Sequence, residues 1–150
     1  MNSGGVDSAN VVTRCVDLYN HCTTEWVDTY YSSNVDWNEL PTATLPDGRK
    51  GDRNALRHAA EITLSFFPDR QMKIKNLVAR ERSVALELEW WGTASRSMGN
   101  VKAGEIVRLL IASFFEVTEN LITRHTDYCV TVAKSQESAE PASTSKAPNG

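Results

Sequence analysis

The chain has 150 residues and a formal net charge of −3, with 41% hydrophobic and 23% charged residues. This length and composition suit one globular domain with a single hydrophobic core. Because nucleic acids and anionic membranes attract basic surfaces, the acidic balance argues against both as main partners. No apolar run approaches the ~20 residues of a membrane span. The first ten residues lack the features of a signal peptide, so we expect a cytoplasmic location.

Composition also separates a working domain from two polar ends. Residues 133–150 are rich in Ser, Ala, Pro and Lys and hold no large apolar side chain, which predicts a disordered tail. Residues 1–7 are similar and are expected to be a flexible N-terminus, which leaves a single domain at 8–132. The three cysteines form no CxxC pair, so we expect buried reduced thiols and no metal site.

Two helices with a short strand between them are expected in the first half of the domain. Apolar residues recur every three or four positions over 11–30, which predicts one amphipathic helix. Residues 35–37 are a candidate strand. The segment after it is rich in turn residues, and Arg49 is interpreted as part of a solvated turn. Asp52 is placed to cap a second helix, which Pro68 ends.

The second half of the domain changes to a period of two. This alternation predicts four strands, at residues 71–81, 83–91, 105–117 and 121–132. A tight turn at 118–120 joins the last two in a long hairpin. The helices should cover one face of the sheet. We therefore predict an α+β fold, a cone-shaped curved antiparallel sheet packed against N-terminal helices around an apolar pocket.

The last strand carries the residues most suited to chemistry. Alternation puts His125 and Asp127 on the apolar face, and folding the hairpin about 118–120 places Asp127 near Ile111 and His125 near Ser113. A carboxyl group and an imidazole in an apolar cavity are costly unless they are used or paired. Both are therefore candidate catalytic groups for acid–base chemistry. The alternative is a structural pair held by backbone groups.

Further candidates surround this pair. Glu39, near the expected mouth, is a candidate second base. Glu87 and Glu89 would share the face of Asp127 if the strands pair simply, whereas a single bulge would turn them to solvent. Most aromatic side chains should form the core, with two or three lining the pocket. The candidate substrate contacts are Cys15, Tyr19, Trp37, Phe66, Glu87, Glu89, Ile111 and Ser113.

Four segments resemble the nuclear transport factor 2-like superfamily. They are VVTRCVDLYNHCTTEWVDTYYSSNVDW at 11–37, FFPD at 66–69, VALELEWWGTA at 84–94 and FFEVTENLITRHTDY at 114–128. Within that superfamily the chain is similar to the SnoaL-like polyketide cyclases, with steroid isomerases and limonene epoxide hydrolase as relatives. By position, Asp127 matches the cyclases' acid–base aspartate, which takes a proton α to a carbonyl during an intramolecular aldol closure.

The relatives' other motifs are altered in this sequence. Cys15 and Ser113 fall where steroid isomerases hold an oxyanion tyrosine and a protonated aspartate, and Glu39 lies near their proton-shuttling carboxylate. Thr126 replaces the arginine that precedes the epoxide hydrolase's aspartate. Glu87-Leu88-Glu89 stands where that hydrolase has Arg-x-Asp.

The resemblance implies a cofactor-free cyclase or isomerase acting on a small hydrophobic, polyketide- or terpenoid-like intermediate of secondary metabolism. An epoxide hydrolase-like hydrolase and a non-catalytic binding or assembly module are the alternatives. Some relatives pair through the sheet, so a homodimer is expected through the outer face, which carries Arg108, Arg124, Tyr128 and Val130.

Overall fold

A computed structural model describes the backbone of residues 4–132 and the side chains of residues 8–132. Its elements are α1 Gly4–Tyr19, α2 Glu25–Tyr30, β1 Tyr31–Glu39, β2 Arg49–Gly51, α3 Arg53–Phe66, β3 Gln71–Arg80, β4 Ser83–Thr93, β5 Ile106–Thr118 and β6 Leu121–Thr131. The predicted α+β class is confirmed. The expected tail at 133–150 lies outside the described residues, whereas α1 already includes residues 4–7. None of the described helices is long and apolar enough to cross a membrane.

Within residues 4–132 the strands form one six-stranded sheet in the order β2-β1-β6-β5-β4-β3. Its neighbouring strands run antiparallel except β1 and β6, which run parallel and place Glu39 opposite Asp127. The sequence predicted neither β2 nor this parallel pair. Since β1 enters the sheet beside β6, it brings a second carboxyl group next to the predicted catalytic strand.

The predicted single helix over 11–30 is wrong, because the chain breaks between α1 and α2. Cys22 has a φ of 60°, in the left-handed region. Arg70 is fully buried, and its guanidinium donates to the carbonyl oxygens of Tyr19 at 3.3 Å and Thr23 at 2.9 Å. These bonds tie the last residue of α1 and the segment that follows it to one buried cation, and they stabilise the break. The short helix α2 then packs Trp26 into the core.

The second predicted helix is confirmed as α3. Asp52 is its N-cap, and the side chain accepts a hydrogen bond from the backbone N–H of Ala55 at 3.1 Å. Leu56, Ala59 and Ala60 lie on its buried face. The core fills the space between the helices and the concave face of the sheet. One face of the sheet is therefore covered, as the strand pattern predicted.

The β5–β6 hairpin has a different register from the predicted one. Its loop is the two-residue turn Glu119-Asn120, both with positive φ, as in hairpin turns of the primed types. An irregularity near Thr123 leaves this residue without a partner in the ladder. Beyond that bulge, Asp127 lies opposite Ser113 and His125 opposite Phe115, so the expected pairs are shifted by two residues. A two-residue shift preserves the face, so both side chains still point inward.

Replacing Arg70 tests the break between α1 and α2. Arg70→Met removes the guanidinium donor from both carbonyl oxygens and leaves that of Tyr19 only its bond from the Cys22 N–H, so we expect the free energy of unfolding to fall by about 2–4 kcal/mol. Chemical denaturation measures this difference. Arg80→Met, at an exposed position of β3, should change stability by less than about 0.5 kcal/mol. Equal losses in the two variants would contradict the role of Arg70.

Candidate active site

A cavity of about 360 Å³ lies between the concave face of the sheet and the helices. Its wall is mainly apolar and aromatic. A few polar side chains line the same space, among them those of Asp127, His125, Ser113 and Glu39. An apolar hollow with a few convergent polar groups is the usual form of a small-molecule site.

Asp127 and His125 form a hydrogen-bonded pair on this wall. The Nε2 atom of His125 lies 2.7 Å from Oδ1 of Asp127, and the hydroxyl of Ser113 donates to the same oxygen at 2.5 Å. The side chains are 11% and 17% exposed for His125 and Asp127. The second oxygen, Oδ2, has no hydrogen-bond partner among residues 8–132. One oxygen is therefore anchored and the other is available to a ligand.

His125 is itself held on both sides. The hydroxyl of Tyr31 lies 2.8 Å from Nδ1, and the ring of Phe115 stacks on the imidazole with centroids 4.2 Å apart. Burial raises the pKa of Tyr31 well above its ordinary value, so the hydroxyl stays protonated beside Nδ1. A carboxylate oxygen only accepts, so His125 donates from Nε2 to Asp127. The chain Tyr31–His125–Asp127 fixes the orientation of the carboxylate.

The charge of Asp127 follows from opposing effects. Burial alone would raise the pKa of this carboxyl group. That effect is outweighed by the charge of His125 and its hydrogen bond, by the hydrogen bond from Ser113 and by the charge of Arg49. The pKa of Asp127 is therefore lowered from its ordinary 3.8. Near neutral pH the side chain is a carboxylate, which suits a proton acceptor.

Glu39 lines the cavity beside this pair. It lies opposite Asp127 across β1 and β6, and its Oε1 accepts a hydrogen bond from Nε of Arg49 at 2.6 Å. The guanidinium of Arg49 also lies 5.8 Å from the ring centroid of Trp37. The interpretation of Arg49 as part of a solvated turn is wrong, because β2 brings it to the cavity wall. A three-residue strand is too short to give a pattern in the sequence.

Glu87 and Glu89 do not line the cavity. The strands β4 and β5 pair Leu86 with Ser113 and Leu88 with Ile111, so the even-numbered residues of β4 face inward. Glu87 is exposed on the outer face, and Glu89 lies 3.7 Å from Nζ of Lys75. The expectation that they contact a substrate is corrected here. A shift of one residue in register moves every side chain of a strand to the opposite face of the sheet. The sequence of the β4–β5 connection does not show which register the two strands adopt.

The other candidate contacts do line the cavity: Cys15, Tyr19, Trp37, Phe66, Ile111 and Ser113. Burial raises the pKa of Cys15 to about 12, against a hydrogen bond with Tyr31 that lowers it, so its thiol stays neutral. Tyr31 was missed because it stands at the junction of α2 and β1, where the helical period ends. Among the described residues, no group of three or more His, Cys, Asp or Glu side chains is arranged to hold a metal ion.

Removing the Ser113 hydroxyl tests the hydrogen bond that it donates. Because this bond favours the charged carboxylate, Ser113→Ala should raise the pKa of Asp127 relative to the intact protein. The carboxyl carbon resonance of Asp127 in ¹³C-labelled protein, followed during a pH titration, measures the change. Ser83→Ala, at an exposed end of β4, should leave that titration unaltered. A titration in Ser113→Ala identical to that of the unsubstituted protein would contradict the assignment.

Comparisons with known proteins agree with this architecture. AclR from Streptomyces galilaeus, provisionally described as a hydroxylase, superposes with a TM-score of 0.71 at 16% identity, over 84% of this chain and 90% of AclR. IdmH from Streptomyces antibioticus, provisionally described as a polyketide cyclase, gives 0.69 at 20% identity, over 81% and 91%. A SnoaL-like polyketide cyclase from Agrobacterium tumefaciens gives 0.67 at 17% identity, over 86% and 95%. These likenesses show a shared fold.

A comparison with curated proteins found no significant sequence match. The family model for SnoaL-like polyketide cyclases matches residues 9–136, which is most of the chain. This match supports a function of the cyclase or isomerase type. The chain belongs to the SnoaL-like polyketide cyclase family, within the nuclear transport factor 2-like superfamily.

Proposed function

We propose that this protein is a cofactor-free cyclase or isomerase in which Asp127 removes a proton from a carbon next to a substrate carbonyl group. The observation that carries the proposal is the arrangement of its two oxygens. Oδ1 is held by Ser113 and His125, Oδ2 has no hydrogen-bond partner among the described side chains, and Asp127 lines an apolar cavity. A positioned carboxylate with a lowered pKa is ionised and ready to accept a proton.

His125 positions the base and responds to its change of charge. When Asp127 accepts a proton, the hydrogen bond from Nε2 keeps the carboxyl group in place for the return of that proton. Tyr31 holds the far side of the imidazole, which limits rotation of the ring. Fixing a base and its substrate in one geometry supplies a large share of the rate that a cofactor-free enzyme needs.

The substrate class follows from the wall of the cavity. Trp37, Phe66 and Ile111 offer flat and aliphatic surfaces, which suit a fused-ring or partly unsaturated hydrophobic molecule. A polyketide- or terpenoid-like intermediate has these properties and carries carbonyl groups. The volume of about 360 Å³ is within the range of small-molecule sites.

Glu39 is the proposed second proton carrier. It lies on the strand next to Asp127, and a proton taken from one carbon can be delivered to another by a second carboxyl group nearby. The hydrogen bond from Arg49 holds Glu39 at the cavity wall. An isomerisation uses both groups, whereas an aldol closure needs Asp127 alone.

The two alternatives have less support. A hydrolase would use Glu87 and Glu89 beside Asp127 to orient water, and neither glutamate lines the cavity. A non-catalytic binding or assembly module would be favoured if backbone groups held Asp127 and His125 away from a cavity, but these side chains bond to Ser113 and Tyr31 at the cavity wall. Labelled oxygen from water would appear in the product of a hydrolase and in no product of the proposed reaction.

Deuterium exchange tests the base without knowledge of the natural substrate. β-Tetralone is a small hydrophobic ketone with exchangeable protons next to its carbonyl group. The protein should speed deuterium uptake from D₂O above the buffer rate, and Asp127→Asn should reduce that acceleration by about 10²- to 10⁴-fold. Proton NMR measures the rate at which the signal of the protons next to the carbonyl group disappears.

The matched control is Asp36→Asn, at an exposed position of β1. This variant should speed deuterium uptake by β-tetralone as much as the unsubstituted protein does. Circular dichroism should show that the unsubstituted protein, Asp127→Asn and Asp36→Asn are all folded. A protein-dependent exchange rate that survives in Asp127→Asn, or that never rises above the buffer rate, would rule out the proposed role of Asp127.

We further propose a homodimer through the outer face of the sheet. Val78, Leu110, Phe114, Tyr128 and Val130 are each 44% to 62% exposed there, and the rings of Phe114 and Tyr128 pack at 5.8 Å. The outer face of strands β3 to β6 has an area of roughly 600 Å² at the usual strand spacing. This is close to the ~800 Å² that each partner buries in a stable complex.

The charges around this outer face favour a second copy as the occupant. The pairs Lys75–Glu89 and Arg124–Glu116 place both signs beside the apolar side chains. A surface that carries both signs can be complementary to itself about a two-fold axis, where each sign can meet its opposite on the other copy.

A charge placed in the outer face tests the dimer. Phe114→Glu would bury a carboxylate in the proposed interface, so light scattering should show a monomer where the unsubstituted protein is a dimer. Ala43→Glu, in the exposed segment before β2, should remain a dimer. An unsubstituted protein with the mass of one chain, or a Phe114→Glu variant that is still dimeric, would refute the proposal.

A further inference from the structure

The wall of the cavity that includes Tyr19 has a hydrogen-bond donor without an acceptor. The indole Nε1 of Trp90 lies 2.7 Å from the hydroxyl oxygen of Tyr19. An indole N–H only donates, so the Tyr19 oxygen must be the acceptor in this pair. The hydroxyl hydrogen of Tyr19 is left over, and no group among the described residues accepts it. Tyr19 lines the cavity, so this hydrogen is available to a ligand.

A buried cation lies against the ring that carries this hydroxyl. The guanidinium of Arg70 lies 3.9 Å from the ring centroid of Tyr19, is fully buried, and forms no ion pair with an acidic side chain among the described residues. Trp26 packs on Tyr19 with ring centroids 5.2 Å apart, and its indole N–H is enclosed without a partner among residues 8–132. From the part of the chain that the structure describes, this wall therefore carries donors and a cation but no carboxylate, and it favours negative charge on a ligand.

We propose that Tyr19 is a further catalytic residue, whose hydroxyl donates a hydrogen bond to the carbonyl oxygen of the substrate and to the enolate formed from it. The hydrogen bond from Trp90 orients this hydroxyl, and the charge of Arg70 favours negative charge on the ligand oxygen. This inference deepens the proposed function and depends on it for the kind of ligand. It assigns the substrate as a ketone whose oxygen faces Tyr19 and whose acidic carbon faces Asp127.

The proposed step is balanced in protons and electrons. The C–H bond next to the carbonyl breaks, and its proton goes to Oδ2 of Asp127. Its electron pair forms the C=C bond of the enolate, and the carbonyl π electrons move to the oxygen that Tyr19 contacts. A donor aimed at oxygen that gains charge in the transition state is one of the strongest aids to such a step.

Two electrostatic observations agree with these roles. Burial raises the pKa of Tyr19 to about 12, although the charge of Arg70 lowers it, so the phenol remains a donor near neutral pH. The charges of Asp127 and Glu39 also raise this pKa. Tyr19, Asp127 and Glu39 line the same cavity of about 360 Å³, so one ligand that fills it can contact both sides.

Infrared spectroscopy of bound β-tetralone tests the contact directly. A hydrogen bond weakens the C=O bond, so the carbonyl band of ¹³C=O-labelled β-tetralone should lie lower in the protein than in cyclohexane. In Tyr19→Phe the band should move upward, and the preference for β-tetralone over tetralin, which has no oxygen, should fall about five- to tenfold. Isothermal titration calorimetry measures that preference. A band in the unsubstituted protein equal to that in cyclohexane, or no preference for the ketone, would overturn the proposal.

Two further variants make the result specific. Tyr30→Phe removes a hydroxyl that does not line the cavity and should leave the band unmoved. Tyr19→Phe frees the N–H of Trp90, which can then donate to the ligand, so the double variant Tyr19→Phe/Trp90→Phe should bring the band to its position in cyclohexane. A band that stays low in that double variant would also overturn the proposal.

The same measurement separates this inference from the proposed function. Asp127→Asn should retain the low carbonyl band, because Asp127 removes a proton and does not hold the oxygen. A low band with no catalysed deuterium exchange would refute the role of Asp127 and leave the Tyr19 contact standing. Catalysed exchange with an unshifted band would refute the Tyr19 contact alone.

Discussion

Two hydrogen bonds that reach one oxygen of Asp127 determine the character of the site. Ser113 Oγ and His125 Nε2 both bond Oδ1, and together with the charge of His125 they oppose the effect of burial on this carboxyl group. Without them, an apolar cavity would favour the protonated acid, which is not a base. Each donor is supplied by an inward-facing position of β5 or β6. The curved sheet thus determines both the place and the charge of the proposed base.

The cavity is electrically asymmetric. Asp127 and Glu39 lie on adjacent strands of one wall, whereas Tyr19 lies against the buried cation of Arg70 on another. Such an arrangement suits a molecule that loses a proton on one side and gains negative charge on the other. The break between α1 and α2 contributes to it, because the bonds that hold Arg70 in place form at that break.

The sequence predicted the features that depend on local periodicity. The strands β3 to β6, the cap of α3 by Asp52 and the inward direction of His125 and Asp127 all follow from alternation or from a capping side chain. A strand that alternates over ten residues has one buried face whatever its partner. For that reason the error of two residues in the hairpin did not change which residues face the cavity.

The features that the sequence did not reveal depend on pairing between distant segments. The face of Glu87 and Glu89 is set by the register of β4 on β5, across a connection without a clear turn signal. The role of Arg49 depends on the three-residue strand β2, and that of Tyr31 on a helix that ends one residue before it. In each case a tertiary contact decided the position, and local propensity carried no information about it.

The pH dependence of β-tetralone exchange in His125→Asn tests whether His125 keeps Asp127 ionised. Exchange requires the ionised carboxylate, so the rate should fall as the pH drops through the pKa of Asp127, which lies below 3.8 in the unsubstituted protein. Removing His125 takes away its charge and its hydrogen bond but leaves the carboxyl group buried, so the acid limb should move to higher pH. An acid limb at the same pH in both proteins would show that His125 does not control the base, and would contradict the account.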